Sequence, residues 1–415
     1  MENLFLDPTL IIILAGLIGF FMAFGIGAND VANAMGTSVG SKAITLRQAV
    51  IIAAIFEFLG AYFAGGEVTS TIRKGIVDPS IYSNDVNIFI IGMLSSLLAA
   101  GLWLLIASSK GWPVSTTHSI VGAIIGFVLI SKGASNVSWG TVGGIASSWI
   151  TSPLVSGLMA FLLYLSAKHL ILDRNNPTKA AVSVIPFYSF FVTAVICLVT
   201  ARKGLKHVGI NWTDNEIYLF TFVLSLLVSV FTFLFLLLKS SKLSSNVENQ
   251  FGILMIITAC AMAFAHGSND VANAIGPIAA VVSIVTSDGT IQTSSELNSW
   301  VLLLGAVGIV FGLAILGRHV IKTVGEKITT LTPSLGFSAN MATASTVLAA
   351  SYLGFPISTT HTLVGGVIGV GLARGYKYLD LNSIKRIFLS WIITIPVGAT
   401  FTILFYVILR LIFNV

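Results

Sequence analysis

Residues 27–34 read GANDVANA, and residues 267–274 read GSNDVANA. Each stretch places one aspartate and two asparagines at the end of a long apolar run. Ionisable and polar side chains at membrane depth are costly and are usually retained for a function. A polar cluster that occurs twice in apolar surroundings therefore indicates a duplicated membrane protein that binds something polar.

The composition is that of a polytopic membrane protein. Of the 415 residues, 55% are hydrophobic and 9% are charged, and the mean hydropathy is +0.95. About a quarter of the residues of a soluble domain are charged. The windows 10–26, 141–163, 217–238 and 299–316 are nearly free of charge, and each has the roughly 17–25 residues that a helix needs to cross the hydrocarbon core. We expect an all-α polytopic membrane protein, because the alternation of a membrane β-barrel is absent from the sequence.

The net charge of +6 does not indicate a nucleic-acid-binding protein, since the basic residues form no basic helix or aromatic-basic face. In a membrane protein, basic residues favour cytoplasmic loops. With both termini extracytoplasmic, the basic residues that fall in cytoplasmic loops are Lys42, Arg47, Lys168, Arg174, Lys179, Lys239, Lys242, Arg318, Lys322, Lys327, Arg374, Lys377, Lys385 and Arg386. They are the majority of the 22 basic residues. We expect this orientation in a cell inner membrane or plasma membrane.

Two further motif pairs extend the duplication. PVSTTH at 113–118 matches PISTTH at 356–361, and SWITSP from Ser148 resembles SWIITIP from Ser390. Collinear matches at a nearly constant offset of about 240 residues indicate two homologous halves. We assign residues 10–172 to a first transmembrane repeat, 173–249 to a linking segment with two transmembrane helices, and 250–413 to a second repeat.

The number of crossings between the two copies predicts their relative direction. The segments 88–108 and 113–130 form a pair that either spans the membrane or re-enters it, so the pair adds an even number of crossings. The number of crossings from the first polar cluster to its copy is then odd. The second copy therefore starts on the opposite side of the membrane from the first, so the two halves have inverted topology. We expect two inverted-topology repeats with broken helices and re-entrant-type helical hairpins.

The asparagine clusters predict a cation or substrate site. In a helix, Asn29, Asp30 and Asn33 share one edge, and the preceding glycines let the helix break or let another backbone approach. Carboxylate, carboxamide and freed carbonyl oxygens are hard ligands that suit Na⁺. Helix–helix contact through small residues and asparagines is the alternative. Because the cluster is duplicated, we favour the site, formed by Asn29, Asp30 and Asn33 with Asn269, Asp270 and Asn273.

The second motif predicts an anion site. Pro113 ends one segment, and Ser115 is a residue type that caps the apolar helix after it. The first amides of that helix lack intrahelical partners and lie at its positive end. With the hydroxyls of Ser115, Thr116 and Thr117 they form an anion cradle without arginine or lysine. Ordinary capping is the alternative. Two inverted hairpins would aim this cradle and its copy, Ser358, Thr359 and Thr360, at one point near the midplane.

Three more ionisable residues lie in apolar segments. His118 and His361 close the second motif, and they either relay protons or, as buried histidines more often do, donate hydrogen bonds. Glu57 lacks a counterpart in the second half. Coordination of a cation, transfer of a proton and pairing with a basic residue are all open to it.

The motifs also favour one class of cargo. Neither contains a cationic residue, and an oxyanion without a bidentate arginine is easier to release. Cations at the asparagine clusters would compensate its charge. A phosphate that keeps a P–OH group can donate to Asp30 or Asp270, whereas sulfate has no proton to donate. No nucleotide-binding motif occurs, so an ion gradient would supply the energy.

GANDVANA and GSNDVANA, together with PVSTTH and PISTTH, resemble the signatures of the inorganic phosphate transporter (PiT) family, and the resemblance extends over residues 10–413. It implies an inverted-repeat carrier that symports phosphate with Na⁺ or H⁺ and needs no cofactor. It also implies ligands: phosphate between Ser115–Thr117 and Ser358–Thr360 beside Asp30 and Asp270, and Na⁺ at Asn29, Asn33, Asn269 and Asn273 with nearby backbone.

Glu57 resembles a glutamate that animal members of the family carry after the first signature. Those relatives have further glutamates where this chain has Met93 and Asn340, and a large cytoplasmic insert where it has the short loop 239–249. The resemblance therefore implies a minimal, prokaryotic form.

We expect an importer of inorganic phosphate that works by Na⁺ symport and alternating access. Na⁺ is preferred because the asparagines and aspartates offer hard oxygen ligands. Proton coupling and transport of another oxyanion such as sulfate are the alternatives. An intramembrane hydrolase using Ser115 and His118 is disfavoured, because no acid that could orient His118 lies near it in the sequence. An ion channel is disfavoured because the sequence has no repeat that could form a selectivity filter. The apolar surface also permits a homodimer.

Overall fold

The structure is a computed structural model, and it describes residues 4, 6–204, 211–243, 246–291, 297–321 and 331–415. Lys322 and Lys327, which were counted for the orientation, lie outside these residues. Where the chain is described it is helical, and its β-structure is an isolated bridge between Val77 and Val137.

The α-helices follow one another along the chain. They are α1 (Pro8–Gly40), α2 (Leu46–Ala64), α3 (Gly66–Lys74), α4 (Val86–Ser109), α5 (Thr116–Ser131), α6 (Trp139–Ala167), α7 (Pro177–Val199), α8 (Asp214–Leu243), α9 (Val247–Asp270), α10 (Ala272–Thr286), α11 (Ser299–Ile315), α12 (Pro333–Tyr352), α13 (Thr359–Arg374) and α14 (Leu381–Phe413). Two π-helical turns, Lys168–Leu172 and Thr200–Gly204, extend α6 and α7.

Eight helical stretches among the described residues are long and apolar enough to cross a membrane. They are Pro8–Gly40, Leu46–Ala64, Val86–Ser109, Trp139–Leu172, Pro177–Arg202, Asp214–Leu238, Val247–Thr286 and Ile387–Phe413. The prediction of an all-α polytopic membrane protein is confirmed.

Two helical hairpins contain the STTH motifs. Residues 110–115 join α4 to α5, and residues 353–358 join α12 to α13. Helices α5 and α13 have 16 residues each, which gives a length of about 24 Å, less than the roughly 30 Å of the hydrocarbon core. Whether these hairpins span the membrane or re-enter it stays a prediction.

Contacts between helices recur with the two halves exchanged. Helix α1 packs on α11, and its counterpart α9 packs on α2. In the same way α5 packs on α14, and α13 packs on α6. The halves are therefore interleaved, and α7 and α8 lie between them in sequence. The inverted direction of the copies and the boundaries 10–172, 173–249 and 250–413 stay predictions.

The two asparagine clusters lie in helices of different continuity. Helix α1 runs without interruption from Pro8 to Gly40, so the break that its glycines permit does not occur in this copy. In the second copy α9 and α10 meet at Val271, whose backbone is itself right-handed helical (φ −57°, ψ −32°), so they form one helical stretch from Val247 to Thr286 with a local irregularity. This copy also carries Pro277 where the first has Thr37; Pro277 lies inside α10, where its missing amide leaves the carbonyl of Asn273 without an intrahelical donor.

Glycines beside the clusters allow helices to cross at backbone contact. A β-carbon on Gly27 of α1 would overlap the backbone of Ile309 on α11, and one on Gly267 of α9 would overlap the backbone of Glu57 on α2. These positions require glycine because no side chain fits between the helices. The crossings hold both asparagine clusters in the interior.

Candidate functional site

The two STTH motifs meet in the interior. We call Ser115, Thr116 and Thr117 the first corner and Ser358, Thr359 and Thr360 the second corner. The Thr117 hydroxyl donates to the carbonyl of Ile357 at 3.0 Å, and the Thr360 hydroxyl donates to the carbonyl of Val114 at 3.4 Å. All six corner residues are at most 2% exposed. The structure thus brings together two motifs that are far apart in the sequence.

Each corner is the start of a helix. The Ser115 hydroxyl oxygen accepts from the amide of His118 at 3.2 Å, and Ser358 accepts from the amide of His361 at the same distance. The serines are therefore N-caps, as the sequence predicts. The earlier amides of each helix precede any intrahelical acceptor, and the positive ends of two helix dipoles lie at the same place.

The asparagines that end each cluster bind the corner of the opposite half. The Asn33 carboxamide donates to the Thr360 hydroxyl at 2.8 Å and lies 3.4 Å from that of Thr359. The Asn273 carboxamide donates to both threonines of the first corner, at 3.2 and 3.3 Å. Each corner is thus oriented by a helix from the other half.

Both aspartates lie beside the second corner. The Thr359 hydroxyl donates to Asp270 Oδ2 at 2.7 Å. Asp30 Oδ1 accepts from Asn33 at 3.1 Å and lies 3.5 Å from the Thr360 hydroxyl. Both carboxyl groups are buried, so two acidic groups lie next to a row of hydroxyl donors.

The first asparagines of the clusters hold the hairpin loops. The Asn29 carboxamide donates to the carbonyl of Trp112 at 2.9 Å and accepts from the amide of Val114 at 3.1 Å. The Asn269 carboxamide donates to the carbonyl of Phe355 at 3.3 Å. These two side chains fix the loops from which the corners begin.

Several cluster oxygens have no hydrogen-bond donor within the described part of the chain. They are Asp30 Oδ2, Asn269 Oδ1, Asp270 Oδ1 and Asn273 Oδ1, and all are buried. A buried polar atom without a partner is unfavourable and needs an explanation. Carboxylate and carboxamide oxygens of this kind are the ligands that hard cations prefer, so this donor set fits Na⁺.

His266 joins the site although the sequence reasoning missed it. Its Nδ1 lies 3.2 Å from Glu57 Oε1, and its Nε2 lies 3.0 Å from Asp270 Oδ2 and 3.8 Å from Asp30 Oδ2. The ring is fully buried and is close to three carboxylates without a well-aligned hydrogen bond. Ligand atoms of Asp30, His266 and Asp270 lie within 4.8 Å of one another.

A signal for His266 is present in the sequence. It occupies the position of Ile26 in the first copy, so one repeat has an ionisable residue where the other has an apolar one. Such a residue at membrane depth predicts a partner. Glu57 and Asp270 lie on either side of this ring, so the structure places Glu57 beside a histidine, one of the arrangements that the sequence left open for this glutamate.

The remaining polar candidates lie around this centre. His118 and His361 contact backbone carbonyls of α14 and α6 through their Nδ1 atoms. Asn340, which stands where animal relatives carry a glutamate, is buried and accepts from the Thr37 hydroxyl at 2.6 Å. Asn340 therefore contacts the end of α1. Met93, the other position at which animal relatives carry a glutamate, is buried in the apolar core.

Comparison with known proteins identifies the family of this chain. The model of the phosphate transporter family matches residues 26–402. A Haemophilus influenzae protein with the provisional name phosphate permease is 51% identical over 407 residues, which are 97% of each chain. The chloroplastic inorganic phosphate transporter 2-1 of Arabidopsis thaliana is 42% identical over 424 residues, covering 94% of this chain and 70% of the plant protein.

A solved structure described as the sodium-dependent phosphate transporter is also similar. It has a TM-score of 0.87 and 43% sequence identity, and the match covers 97% of this chain and 99% of that one. The matched family consists of membrane transporters, so the chain is a transporter and not an enzyme. From the family match over most of its length and these relatives, the chain belongs to the phosphate transporter family.

Proposed function

We propose that this protein imports inorganic phosphate by symport with Na⁺ through alternating access. One observation carries the proposal: the first corner and the second corner, which belong to different halves, meet beside two buried aspartates. One carboxylate oxygen of each aspartate, Asp30 Oδ2 and Asp270 Oδ1, accepts no hydrogen bond from the residues that the structure describes. Hydroxyls and helix N-termini suit an oxyanion, and unpaired carboxylate and carboxamide oxygens suit a hard cation.

In this proposal the phosphate lies between the corners. Ser115, Thr116 and Thr117 supply donors from one side, and Ser358, Thr359 and Thr360 supply them from the other. Asp30 or Asp270 accepts from the P–OH group that phosphate keeps near neutral pH, which sulfate cannot provide. The threonines that now donate to Asp270 and to Ile357 turn their hydroxyls to the anion when it enters.

Na⁺ compensates the charge that the anion brings. Its ligands in the proposal are Asp30 and Asp270 with the carboxamide oxygens of Asn33, Asn269 and Asn273. Buried like charges are costly unless opposite charges accompany them. Phosphate and Na⁺ therefore each lower the free-energy cost of burying the other. Asn29 holds the loop between α4 and α5 in place beside this site. Glu57 contributes by positioning His266.

The interleaved halves support alternating access. Each asparagine cluster holds the corner of the other half, so a rotation of one helix bundle against the other would open the corners to one side and close them to the opposite side. The neighbour described as sodium-dependent supports Na⁺ as the coupling ion. We propose a cell inner membrane or plasma membrane as the location, with both termini extracytoplasmic and a homodimer as the assembly.

Transport by reconstituted protein tests the proposal. Labelled phosphate is offered to proteoliposomes under an inward Na⁺ gradient at equal pH, and under a pH gradient without Na⁺. We expect accumulation with the Na⁺ gradient and none in choline. Accumulation with the pH gradient alone would support the proton-coupled alternative, and efficient competition by sulfate would support a general oxyanion carrier. Uptake that ignores both gradients would contradict symport.

A further inference from the structure

The two histidines that follow the corners bind the opposite half of the protein. His118 Nδ1 lies 3.3 Å from the carbonyl oxygen of Trp391 on α14, and His361 Nδ1 lies 3.2 Å from that of Trp149 on α6. A carbonyl oxygen only accepts, so Nδ1 is the donor in both contacts. The first half is thereby tied to the second half twice, with the roles exchanged.

The rings of the same four residues are packed together. The ring centroids of His118 and Trp149 are 3.8 Å apart, and those of His361 and Trp391 are 3.4 Å apart and stacked. The two imidazole rings lie 4.4 Å apart, edge to face. Each tryptophan therefore contacts one histidine with its ring and the other with its carbonyl. We call this closed set the His–Trp cluster.

The helix that carries Trp149 has a carbonyl available for the histidine. In an α-helix the carbonyl of residue 149 accepts from the amide of residue 153, but residue 153 is a proline inside α6 and has no amide hydrogen. His361 supplies the missing donor. On α14 the residue four positions after Trp391 is Ile395, so His118 uses the second lone pair of that carbonyl.

We propose that His118 and His361 are positioning residues, and that the His–Trp cluster sets the separation of the two corners and hence the affinity for phosphate. This inference rests on the proposed binding of phosphate between the corners. His118 is adjacent to Thr117, and His361 is adjacent to Thr360. A displaced imidazole therefore moves the corner threonine beside it.

This role requires an Nδ1–H donor, and it requires no proton transfer. Two conservative substitutions separate these properties. The carboxamide nitrogen of asparagine is as many bonds from Cα as Nδ1, whereas that of glutamine corresponds to Nε2. Asparagine keeps the donor to the carbonyl, and glutamine moves it away. Neither side chain titrates, so a proton relay would be lost in both.

The test measures Na⁺-driven phosphate uptake in proteoliposomes for H118N, H118Q, H361N and H361Q. We expect the glutamine variants to raise the KM for phosphate about tenfold, which corresponds to about 1.4 kcal/mol, the upper part of the range for one net hydrogen bond. The Na⁺ concentration for half-maximal uptake stays within about twofold, and the asparagine variants stay within about threefold of the native KM. The KM of the double glutamine variant should be no higher than that of the more impaired single variant, because either substitution already disrupts the same His–Trp cluster.

The control is H169Q, at an exposed histidine after α6. It shows whether a histidine-to-glutamine change outside the His–Trp cluster alters uptake. Phosphate-dependent thermal stabilisation in detergent gives an affinity for any variant that does not reconstitute. Asparagine variants as impaired as the glutamine variants, or glutamine variants with native KM, would overturn the inference. A Na⁺ requirement that shifts as much as the phosphate KM would overturn it as well. If the native protein takes up no phosphate, the proposed function fails instead.

Discussion

Asp270 joins the second corner to the buried histidine, because it accepts from Thr359 and lies 3.0 Å from His266. We predict that Asp270→Asn lowers Na⁺-driven phosphate uptake at least about a hundredfold, since breaking a buried charge interaction costs about 3–5 kcal/mol and 1.4 kcal/mol is a factor of ten. Proteoliposome uptake is the measurement, with Asp288→Asn at an exposed turn as the control. Near-native uptake by Asp270→Asn would remove this aspartate from the site.

The pair of Glu57 and His266 belongs to the same residue scale. We predict that His266→Ile, which introduces the residue of the first copy, lowers the melting temperature in detergent by several degrees, because it leaves buried carboxylates without their partner. The double variant Glu57→Leu/His266→Ile should melt at a higher temperature than His266→Ile alone, since one unpaired charge is removed as well. A double variant that melts lower than the single one would show that Glu57 is stabilised by other groups.

The contact between the two hairpins is the first test at the scale of elements. Thr117→Val and Thr360→Val remove the hydroxyls that bridge the corners while keeping the side-chain shape. We predict that each raises the phosphate KM about tenfold, as expected for one net hydrogen bond. Thr402→Val is the matched control, because Thr402 is buried on α14 and donates within its own helix at 2.9 Å. Unchanged KM values in both corner variants would place the anion elsewhere.

The helix crossings give a second test at this scale. Gly27→Ala places a β-carbon against the backbone of Ile309, where neither helix has room to give way. We predict a lower melting temperature and a lower yield of folded protein. Gly252→Ala on α9 has no neighbouring atom within 4 Å, and it should be neutral or stabilising by up to about 1 kcal/mol through helix propensity. Equal behaviour of the two variants would contradict the close crossing.

The sequence predicts the elements well where the membrane imposes their length and where proline and serine mark a helix start, as at Ser115 and Ser358. It does not predict the continuity of α1, because glycine permits a break without requiring one. His266 and Glu57 were not paired from the sequence because they meet only when α2 and α9 pack together.

At the scale of the whole molecule, the constant offset between motifs predicts two copies but not how they assemble. The exchanged contacts, such as α1 on α11 and α9 on α2, depend on packing between distant segments. The same holds for Asn33 and Asn273, which reach the corners of the opposite halves. Residue types and spacing nevertheless predicted that both STTH motifs would meet, because inverted repeats aim equivalent helix starts at a common point.

Linkage between the two cargoes tests the central claim most directly. The melting temperature of the purified protein is measured against phosphate concentration in sodium chloride and in choline chloride, and against Na⁺ with and without phosphate. We predict that Na⁺ raises the phosphate affinity and that phosphate raises the Na⁺ affinity by the same factor, as a shared binding free energy requires. Equal stabilisation by phosphate in sodium and in choline would contradict a single site in which each ion compensates the charge of the other.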